Sequence, residues 1–266
     1  MAESPIPQRA RLGDVEIAFV DLPPAVLPER PRAPVLLIHG FASNRNVNWV
    51  NTTWTGTLTR AGHRVIALDN RGHGESTKLY RPEDYGTDLM AGDAVALLDG
   101  LGIGRAHVMG YSMGGRISAF LALAQPQRAA SLLIGGLGIH LVEGVGLPVG
   151  IADALEAPSV DAVTDQMGRM FRAFAEQTKG DLRALAACIR GSRQTLSRDD
   201  VARIATPTLI SVGTRDPIAG SAAELAALLP NARALDIPGR DHNLAVGDRV
   251  HKEGVVAFLA EQERDG

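Results

Sequence analysis

The chain has 266 residues, which is long enough for one large α/β domain to bury a core without disulfides or metals. Its formal net charge is −3, and a nucleic-acid partner is not expected because such a partner requires a basic surface patch. No apolar run reaches the roughly 18 residues that a membrane-spanning helix needs, so no membrane span is expected.

The amino terminus and the cysteine content favour a cytoplasmic location. Residues 1–5 do not combine a basic segment with a following apolar one, so no signal peptide is expected. Cys188 is the only cysteine and cannot form an internal disulfide, which is simplest to explain in a reducing compartment. Its Ala-rich neighbourhood indicates a small buried apolar residue. The sequence does not indicate an oligomeric state.

Short apolar runs alternate with helical patterns along most of the chain, which is typical of a parallel sheet covered by helices on both faces. Strands are predicted at 15–20, 35–38, 65–68, 106–109, 132–134, 208–212 and 234–237. Helices are predicted at 51–60, 84–101 and 115–124. These elements indicate the α/β fold class with a mostly parallel sheet.

The segment Gly110-Tyr111-Ser112-Met113-Gly114 fits the pattern G-x-S-x-G between a predicted strand and a predicted helix. A serine at such a tight strand-to-helix turn is pushed out above the sheet, where a base can reach it. The glycines are required because the turn leaves no room for Cβ atoms beside the neighbouring strand and helix. The pattern therefore predicts a serine nucleophile at Ser112. The alternative is a glycine-lined turn whose serine only caps the helix.

Between about residues 140 and 206 the alternation stops, and helical patterns without a convincing strand replace it. One face of a predicted helix carries five large apolar residues, Val163, Met167, Met170, Phe171 and Phe174. This stripe either packs on the body of the domain or partly roofs a pocket over Ser112, since Met and Phe offer adaptable apolar contacts. Met167, Met170 and Phe174 are the predicted pocket residues of the stripe.

Five arginines in the same segment permit two interpretations. They are Arg169, Arg172, Arg183, Arg190 and Arg193. Because they alternate with apolar positions, a solvated face of amphipathic helices is the simpler interpretation. The other is a basic pocket, as an enzyme acting on a dicarboxylate ring product would need.

A serine hydroxyl is a weak nucleophile at neutral pH, so it needs a base, and the base needs an acid to orient it. His242 follows the last predicted strand and is expected at the carboxyl edge of the sheet, near Ser112. His140 is the second candidate base but is predicted instead to line the pocket. Asp216 follows the preceding strand and is the predicted acid, although an aspartate there could simply bond its own turn. Asp241 is a weaker candidate for the acid, because it is adjacent to His242 in sequence and its side chain would have to fold back to reach the imidazole.

The oxyanion of a tetrahedral intermediate needs two preorganised N–H donors. The backbone N–H of Met113, directly after the nucleophile, is the first predicted donor. The second is predicted to come from the turn after the strand at 35–38, and the Phe41 amide is our choice. The sequence also indicates chemistry without a cofactor. It contains neither the G-x-G-x-x-G pattern of a dinucleotide site nor the ligand spacing of a zinc site. His251 is predicted to lie on an exposed helix face.

In combination these motifs resemble the α/β-hydrolase superfamily. The resemblance rests on His39-Gly40-Phe41, Asp69-Asn70-Arg71-Gly72-His73-Gly74-Glu75-Ser76, Gly110 to Gly115, Asp216 and His242, and it covers nearly the whole chain. It implies an eight-stranded, mostly parallel sheet flanked by helices, with a helical cap inserted after strand six. The core domain would then comprise residues 1–138 and 207–266, and the cap residues 139–206. The stretch 41–49 is similar to small bacterial esterases of this superfamily.

The resemblance implies a cofactor-free serine hydrolase that cleaves carboxylic esters of small molecules through an acyl-enzyme. Haloalkane dehalogenases and epoxide hydrolases of this fold carry aspartate in place of Ser112, so neither activity is expected. Lactonase, carbon–carbon bond hydrolase and perhydrolase activities would use the same triad and stay open. A ligand-binding receptor with slow turnover is the alternative from another class.

Overall fold

The computed structural model describes residues 6–144 and 150–265. Within them a single eight-stranded sheet forms the centre of the molecule. Its strands are β1 (Gln8–Leu12), β2 (Val15–Leu22), β3 (Val35–Ile38), β4 (Val65–Leu68), β5 (Ala106–Tyr111), β6 (Ala129–Gly135), β7 (Thr208–Gly213) and β8 (Ala232–Ile237). The strand order is β1-β2-β4-β3-β5-β6-β7-β8.

The sheet is mostly parallel, as predicted. β1 and β2 form an antiparallel hairpin, and β2 also runs antiparallel to β4. The pairings from β4 through β3, β5, β6 and β7 to β8 are all parallel. Parallel strands end at one edge of a sheet, so the loops after β3, β5, β6, β7 and β8 share that edge.

Helices cover both faces of the sheet. They are α1 (Trp54–Arg60), α2 (Thr87–Gly100), α3 (Met113–Ala124), α4 (His140–Glu143), α5 (Gly150–Glu156), α6 (Gln166–Gln177), α7 (Leu182–Gly191), α8 (Arg198–Ala202), α9 (Ala222–Ala226) and α10 (Arg249–Asp265). No helix among the described residues has the length and apolar character that crossing a membrane requires.

The central strands are buried on both faces, which explains their continuous apolar sequences. In β3, Leu36 and Ile38 join the core cluster that includes residues of α2 and α3. Val35 and Leu37 point the other way, into a second cluster with residues of α1 and α10. The sheet therefore has two apolar layers, and its carboxyl edge is held rigidly between them.

The helices α4 to α8 connect β6 to β7, and the described part of residues 139–206 contains no strand. Helices α5, α6 and α7 pack on one another, while Phe171 of α6 also packs on Phe41 of the sheet edge. This helical connection occupies the predicted place of the cap. The division of the chain into a core and a cap domain at residues 139 and 206 stays a prediction.

The structure differs from the sequence-based expectation at one edge strand and at the beginning of two helices, besides shifts of a few residues at other strand and helix ends. The edge strand β1 was not predicted, because its residues are mostly exposed and lack an apolar run. The helix predicted at 51–60 begins only at Trp54, after a π-helical turn at Asn46–Val50. The helix predicted at 84–101 begins at Thr87, after a 3-10 turn at Pro82–Tyr85.

Candidate active site

Ser112 lies at the sharp turn between β5 and α3. Its φ of 55° and ψ of −113° are a strained conformation for a residue other than glycine. Added Cβ atoms on Gly110 and Gly114 would overlap the backbone of Gly114 and Ile38, respectively. The turn is held in place by the Ser112 N–H, which donates to Gly135 O at 2.7 Å. This local packing projects the serine side chain from the carboxyl edge of the sheet.

An acid–base pair lies at the same edge. His242 Nδ1 is 2.7 Å from Asp216 Oδ2. Because a carboxylate only accepts, Nδ1 is the donor in this contact, and Nε2 is the acceptor nitrogen of the neutral imidazole with that tautomer. The other oxygen, Asp216 Oδ1, accepts from Ile218 N at 2.8 Å and Ala219 N at 3.1 Å. Asp216 is thus both a turn aspartate and the partner of His242, so the two interpretations of this residue do not exclude each other.

The loop that carries His242 is anchored independently of that contact. The Tyr111 hydroxyl donates to His242 O at 2.6 Å, and the two rings lie 5.4 Å apart. The neighbouring Asp241 is exposed and accepts from Asn243 N at 3.0 Å and Leu244 N at 2.8 Å. Asp241 therefore caps its own turn, whereas the Asp216 side chain has 0% of its surface exposed.

The two predicted oxyanion donors lie beside Ser112. Phe41 and Met113 line one cavity with it. In the hydrogen bonding of residues 6–144 and 150–265, neither backbone N–H is a donor outside regular helices and strands. The turn that carries Phe41 comes close to the elbow, since a Cβ built on Gly40 would lie 3.4 Å from Ser112 Cβ. Among the described residues, both N–H groups are thus without a backbone acceptor outside regular elements, and both residues line the cavity that contains Ser112.

A buried ionic network holds the loop after β3. Asp69 Oδ1 accepts from Arg45 N at 2.7 Å, and Asp69 Oδ2 accepts from the Arg45 guanidinium and from Glu75 N. The Asp69 and Arg45 side chains have only 0% and 2% of their surface exposed. On the other side of the turn, His39 Nε2 accepts from Asn70 N at 3.0 Å. The loop that supplies the Phe41 amide is therefore tied to the end of β4 by partners that water cannot reach.

A cavity of about 300 Å³ opens over Ser112 and His242. Such a volume is at the lower end of small-molecule sites. Its apolar lining is Phe41, Val47, Met170, Phe171, Phe174 and Val246. Its polar lining includes Ser43 and Asn48, whose Oγ and Nδ2 atoms are buried without a hydrogen-bond partner in the part of the chain described. The cavity can therefore take an apolar chain and orient a polar group.

The four residues predicted for the pocket occupy different places. Met170 and Phe174 line the large cavity, together with Phe171, which the prediction did not select. Met167 packs against the main apolar core and is not in the lining of either cavity. His140 is also outside both linings, and its Nδ1 donates to Ile218 O at 2.7 Å. The helical period of α6 could not distinguish Met167 from Met170 and Phe174, because these residues differ in what packs against them and not in their spacing.

The arginines of the helical connection do not form one solvated face. Arg172 is buried and donates to three backbone carbonyls, those of residues 154, 155 and 157. Arg169 donates to Val163 O, and Arg190 pairs with Asp153 and Glu156. Arg193, one of the five arginines considered for a basic pocket, lines a second, smaller cavity that contains Ser112. Arg116 lines the same cavity and was not predicted as a site residue.

One histidine group could offer ligands to a metal. The side chains of His63, His107 and Glu263 place ligand atoms within 4.8 Å of one another. His63 and His107 lie at the amino ends of β4 and β5, and Glu263 lies in α10. The three residues are far apart in sequence, so no spacing motif indicates them. Protein partners already engage them: His107 Nε2 bonds Glu263 Oε1 at 2.8 Å, and His63 Nδ1 donates to Ala33 O at 2.9 Å. These hydrogen bonds give the cluster a structural role, since they connect α10 to the sheet.

His251 is buried, contrary to the prediction of an exposed helix face. Its ring lies 4.9 Å from that of Trp54, because α10 packs against α1. The exposed alternatives on α10 are charged residues such as Arg249 and Glu253. The helical pattern there was too weakly amphipathic to show which side faces the core.

Comparisons with known proteins agree with this geometry. A sequence model of the α/β hydrolase fold matches residues 33–136. The chain is similar to the dihydrolipoyllysine-residue acetyltransferase component of an acetoin cleaving system from Pseudomonas putida, with 33% identity over 97% of this chain and 70% of that protein. It is 28% identical to a non-heme chloroperoxidase from Streptomyces lividans, over 86% of this chain and 92% of the relative.

Among solved structures, a hydrolase from Pseudomonas aeruginosa superposes with a TM-score of 0.76 at 26% identity. The superposition covers 95% of this chain and 98% of that one. The similarity thus extends over the sheet, the elbow and the helices between β6 and β7. With the strained serine turn and the mostly parallel sheet, it shows that this chain belongs to the α/β-hydrolase fold family.

Proposed function

We propose that this α/β-hydrolase is a serine hydrolase of carboxylic esters, with Ser112 as nucleophile, His242 as base and Asp216 as the acid that orients it. The observation that carries the proposal is the 2.7 Å contact between His242 Nδ1 and Asp216 Oδ2 beside a cavity that Ser112 and His242 share. With its Nδ1 proton donated to Asp216, the imidazole presents a basic Nε2 to that cavity.

The proposed reaction proceeds in two steps. Ser112 Oγ attacks the ester carbonyl while His242 Nε2 takes the hydroxyl proton, and the Phe41 and Met113 amides stabilise the oxyanion. His242 then protonates the leaving alcohol as the carbon–oxygen bond breaks and the acyl-serine forms. Water, deprotonated by His242, attacks the acyl-serine and releases the acid. One ester and one water thus yield one acid and one alcohol, without a cofactor.

The triad would equally serve lactone opening, carbon–carbon bond hydrolysis or perhydrolysis. These reactions differ in the substrate that the cavities accept and not in the residues at the elbow. A screen of aliphatic esters, lactones and ring-cleavage products with the purified protein separates them. A ligand receptor on the same fold would show thermal stabilisation by ligand without steady-state turnover.

The nucleophile is tested by replacing Ser112 with alanine. Because a triad works as a unit, kcat for a short-chain nitrophenyl ester should fall on the order of 10⁶-fold. A fluorophosphonate should add once to the wild-type protein, and peptide mass spectrometry should locate the adduct on Ser112. The melting temperature of Ser112→Ala should not fall, because the substitution removes no buried packing contact and the glycines of the turn are unchanged. Retained hydrolysis, or an adduct elsewhere, would reject Ser112 as the nucleophile.

A further inference from the structure

A second cavity, of about 40 Å³, also has Ser112 in its lining and is otherwise lined by different residues from the large apolar one, apart from Phe41. Room for one water needs about 10–15 Å³ on the same measure, so the small cavity holds a group of only a few atoms. A molecule whose reacting carbonyl is at Ser112 would therefore extend one end into each cavity.

The small cavity is cationic. It is lined by the guanidinium-bearing side chains of Arg116, from α3, and Arg193, from the loop after α7. Among the described residues, Arg116 donates only to neutral carbonyls, Gln194 O at 2.7 Å and His140 O at 3.4 Å. Arg193 Nη1 is buried and has no hydrogen-bond partner among the described residues.

Neither cation has a counter-charge. In the described ranges 6–144 and 150–265, no carboxylate lies within 4.0 Å of either guanidinium, although many other arginines of the chain are paired. Residues 145–149 contain no acidic side chain. Burial, and then the nearby Arg193 cation, lower the pKa of the Arg116 guanidinium to about 10. Two unpaired cations facing one small cavity are unfavourable unless an anion joins them.

We infer that this cavity is a carboxylate subsite, and that the enzyme's substrates are esters that carry a carboxylate close to the scissile carbonyl. The inference rests on the proposed function, because it assigns the reacting carbonyl to Ser112. The carboxylate lies between Arg116 and Arg193, and the apolar part of the substrate occupies the cavity lined by Met170 and Phe174. Arginine forks suit this role, since they bind carboxylates with two parallel hydrogen bonds.

The test compares anionic esters with neutral isosteres of the same shape. Monoethyl succinate and monoethyl glutarate carry the carboxylate on the acyl side, and ethyl 4-oxopentanoate and ethyl 5-oxohexanoate replace it with a methyl ketone. Butanoyloxyacetate and its ketone isostere butanoyloxyacetone place the same change on the alcohol side. At constant ionic strength, the anionic member of at least one series should have the higher kcat/KM by roughly 10- to 100-fold.

Two variants separate local binding from a general field effect. Arg193→Gln should lower the anionic-to-neutral ratio by roughly 10-fold or more. Arg190→Gln removes the same charge from the neighbouring helix, where Arg190 pairs with Asp153 and Glu156, and should leave the ratio unchanged. The carboxylate subsite would be overturned if both variants lowered the anionic-to-neutral ratio equally. It would also be overturned if the wild type did not prefer the anionic ester in either series.

A binding measurement keeps this inference separable from the proposed reaction. Calorimetric titration of Ser112→Ala with monoethyl glutarate and ethyl 5-oxohexanoate should show preferential binding of the anion. The additional change Arg193→Gln should abolish that preference. Preferential binding without turnover in the wild type would reject ester hydrolysis but retain the subsite. Turnover with no preference in either assay would reject the subsite and retain the reaction.

Discussion

At the scale of single residues, the site depends on how each polar atom is partnered. His242 has one ring nitrogen bound to Asp216, which leaves the other for proton transfer. Asp216 itself is held by two backbone N–H groups, so its carboxylate does not depend on His242 for its position. Preorganised partners of this kind reduce the reorganisation that the reaction requires.

The choice of acid can be tested with two matched substitutions. In Asp216→Asn the side-chain amide can present its N–H to His242, which favours the tautomer without a basic Nε2, so kcat should fall on the order of 10⁴-fold. Asp241→Asn removes the negative charge next to His242 but affects only exposed hydrogen bonds within the turn. Its kcat should therefore stay within about 3-fold of wild type. Steady-state hydrolysis of one nitrophenyl ester by both variants is the measurement. The opposite ranking would show that Asp241 orients the base.

At the scale of elements, the site is assembled from loops that different strands deliver to one edge. In the proposed site, the loop after β5 supplies Ser112, the loop after β3 the Phe41 amide, the loop after β7 Asp216 and the loop after β8 His242. The connection between β6 and β7 contributes the covering helices, of which α6 faces the large cavity. Met170 is 41% exposed and lines that cavity, whereas Met167 is partly buried and packs against the main core. One helix thus combines a binding face and a packing face.

This division of α6 predicts different outcomes for similar truncations. Met170→Ala and Phe174→Ala should change the butyrate-to-acetate rate ratio by up to about 10- to 200-fold, because a lost apolar contact is worth about 1–3 kcal/mol. Met167→Ala, the matched control, should leave the ratio unchanged and lower the free energy of unfolding by about 1–2 kcal/mol, because this side chain is partly buried against the core. Rate ratios and urea unfolding of the three variants decide the matter. A constant ratio in Met170→Ala and Phe174→Ala would exclude contact of α6 with the substrate chain.

At the scale of the whole molecule, several histidines are buried as neutral rings. Burial lowers the pKa of His39 and His251 to about 4, and that of His73 to about 3. In the unfolded chain each would titrate near the ordinary value of 6.5. Between pH 6.5 and pH 4 the unfolded state therefore binds more protons than the folded state, and stability must decrease as the pH falls.

The free energy of unfolding should accordingly drop on the order of 5 kcal/mol between pH 7 and pH 5, at about 1.4 kcal/mol for each unit of pKa difference. Urea unfolding at several pH values in this window measures the slope. His251→Gln keeps a donor for the carbonyls that His251 contacts but cannot titrate, so it should reduce the slope by about one proton. A stability that is level from pH 7 to pH 5 would contradict the assignment of neutral buried rings.

Local sequence determined those features whose causes lie within one short segment. The runs at 35–38 and 65–68 correspond to β3 and β4 residue for residue, because a strand buried on both faces must be apolar throughout. The elbow was recognisable because Gly110 and Gly114 have no room for side chains. Asp216 and His242 were predictable as partners, since residues that follow parallel strands meet at one edge.

Tertiary structure decided whatever depends on contacts between distant segments. Arg116 and Arg193 share a cavity only because the loop after α7 returns to α3, and no local sequence pattern links the two residues. Met167 and Met170 are equivalent in a helical pattern, yet one packs against the core and the other lines the cavity. Periodicity identifies an apolar face, but only the neighbouring elements determine whether that face meets protein or an open cavity.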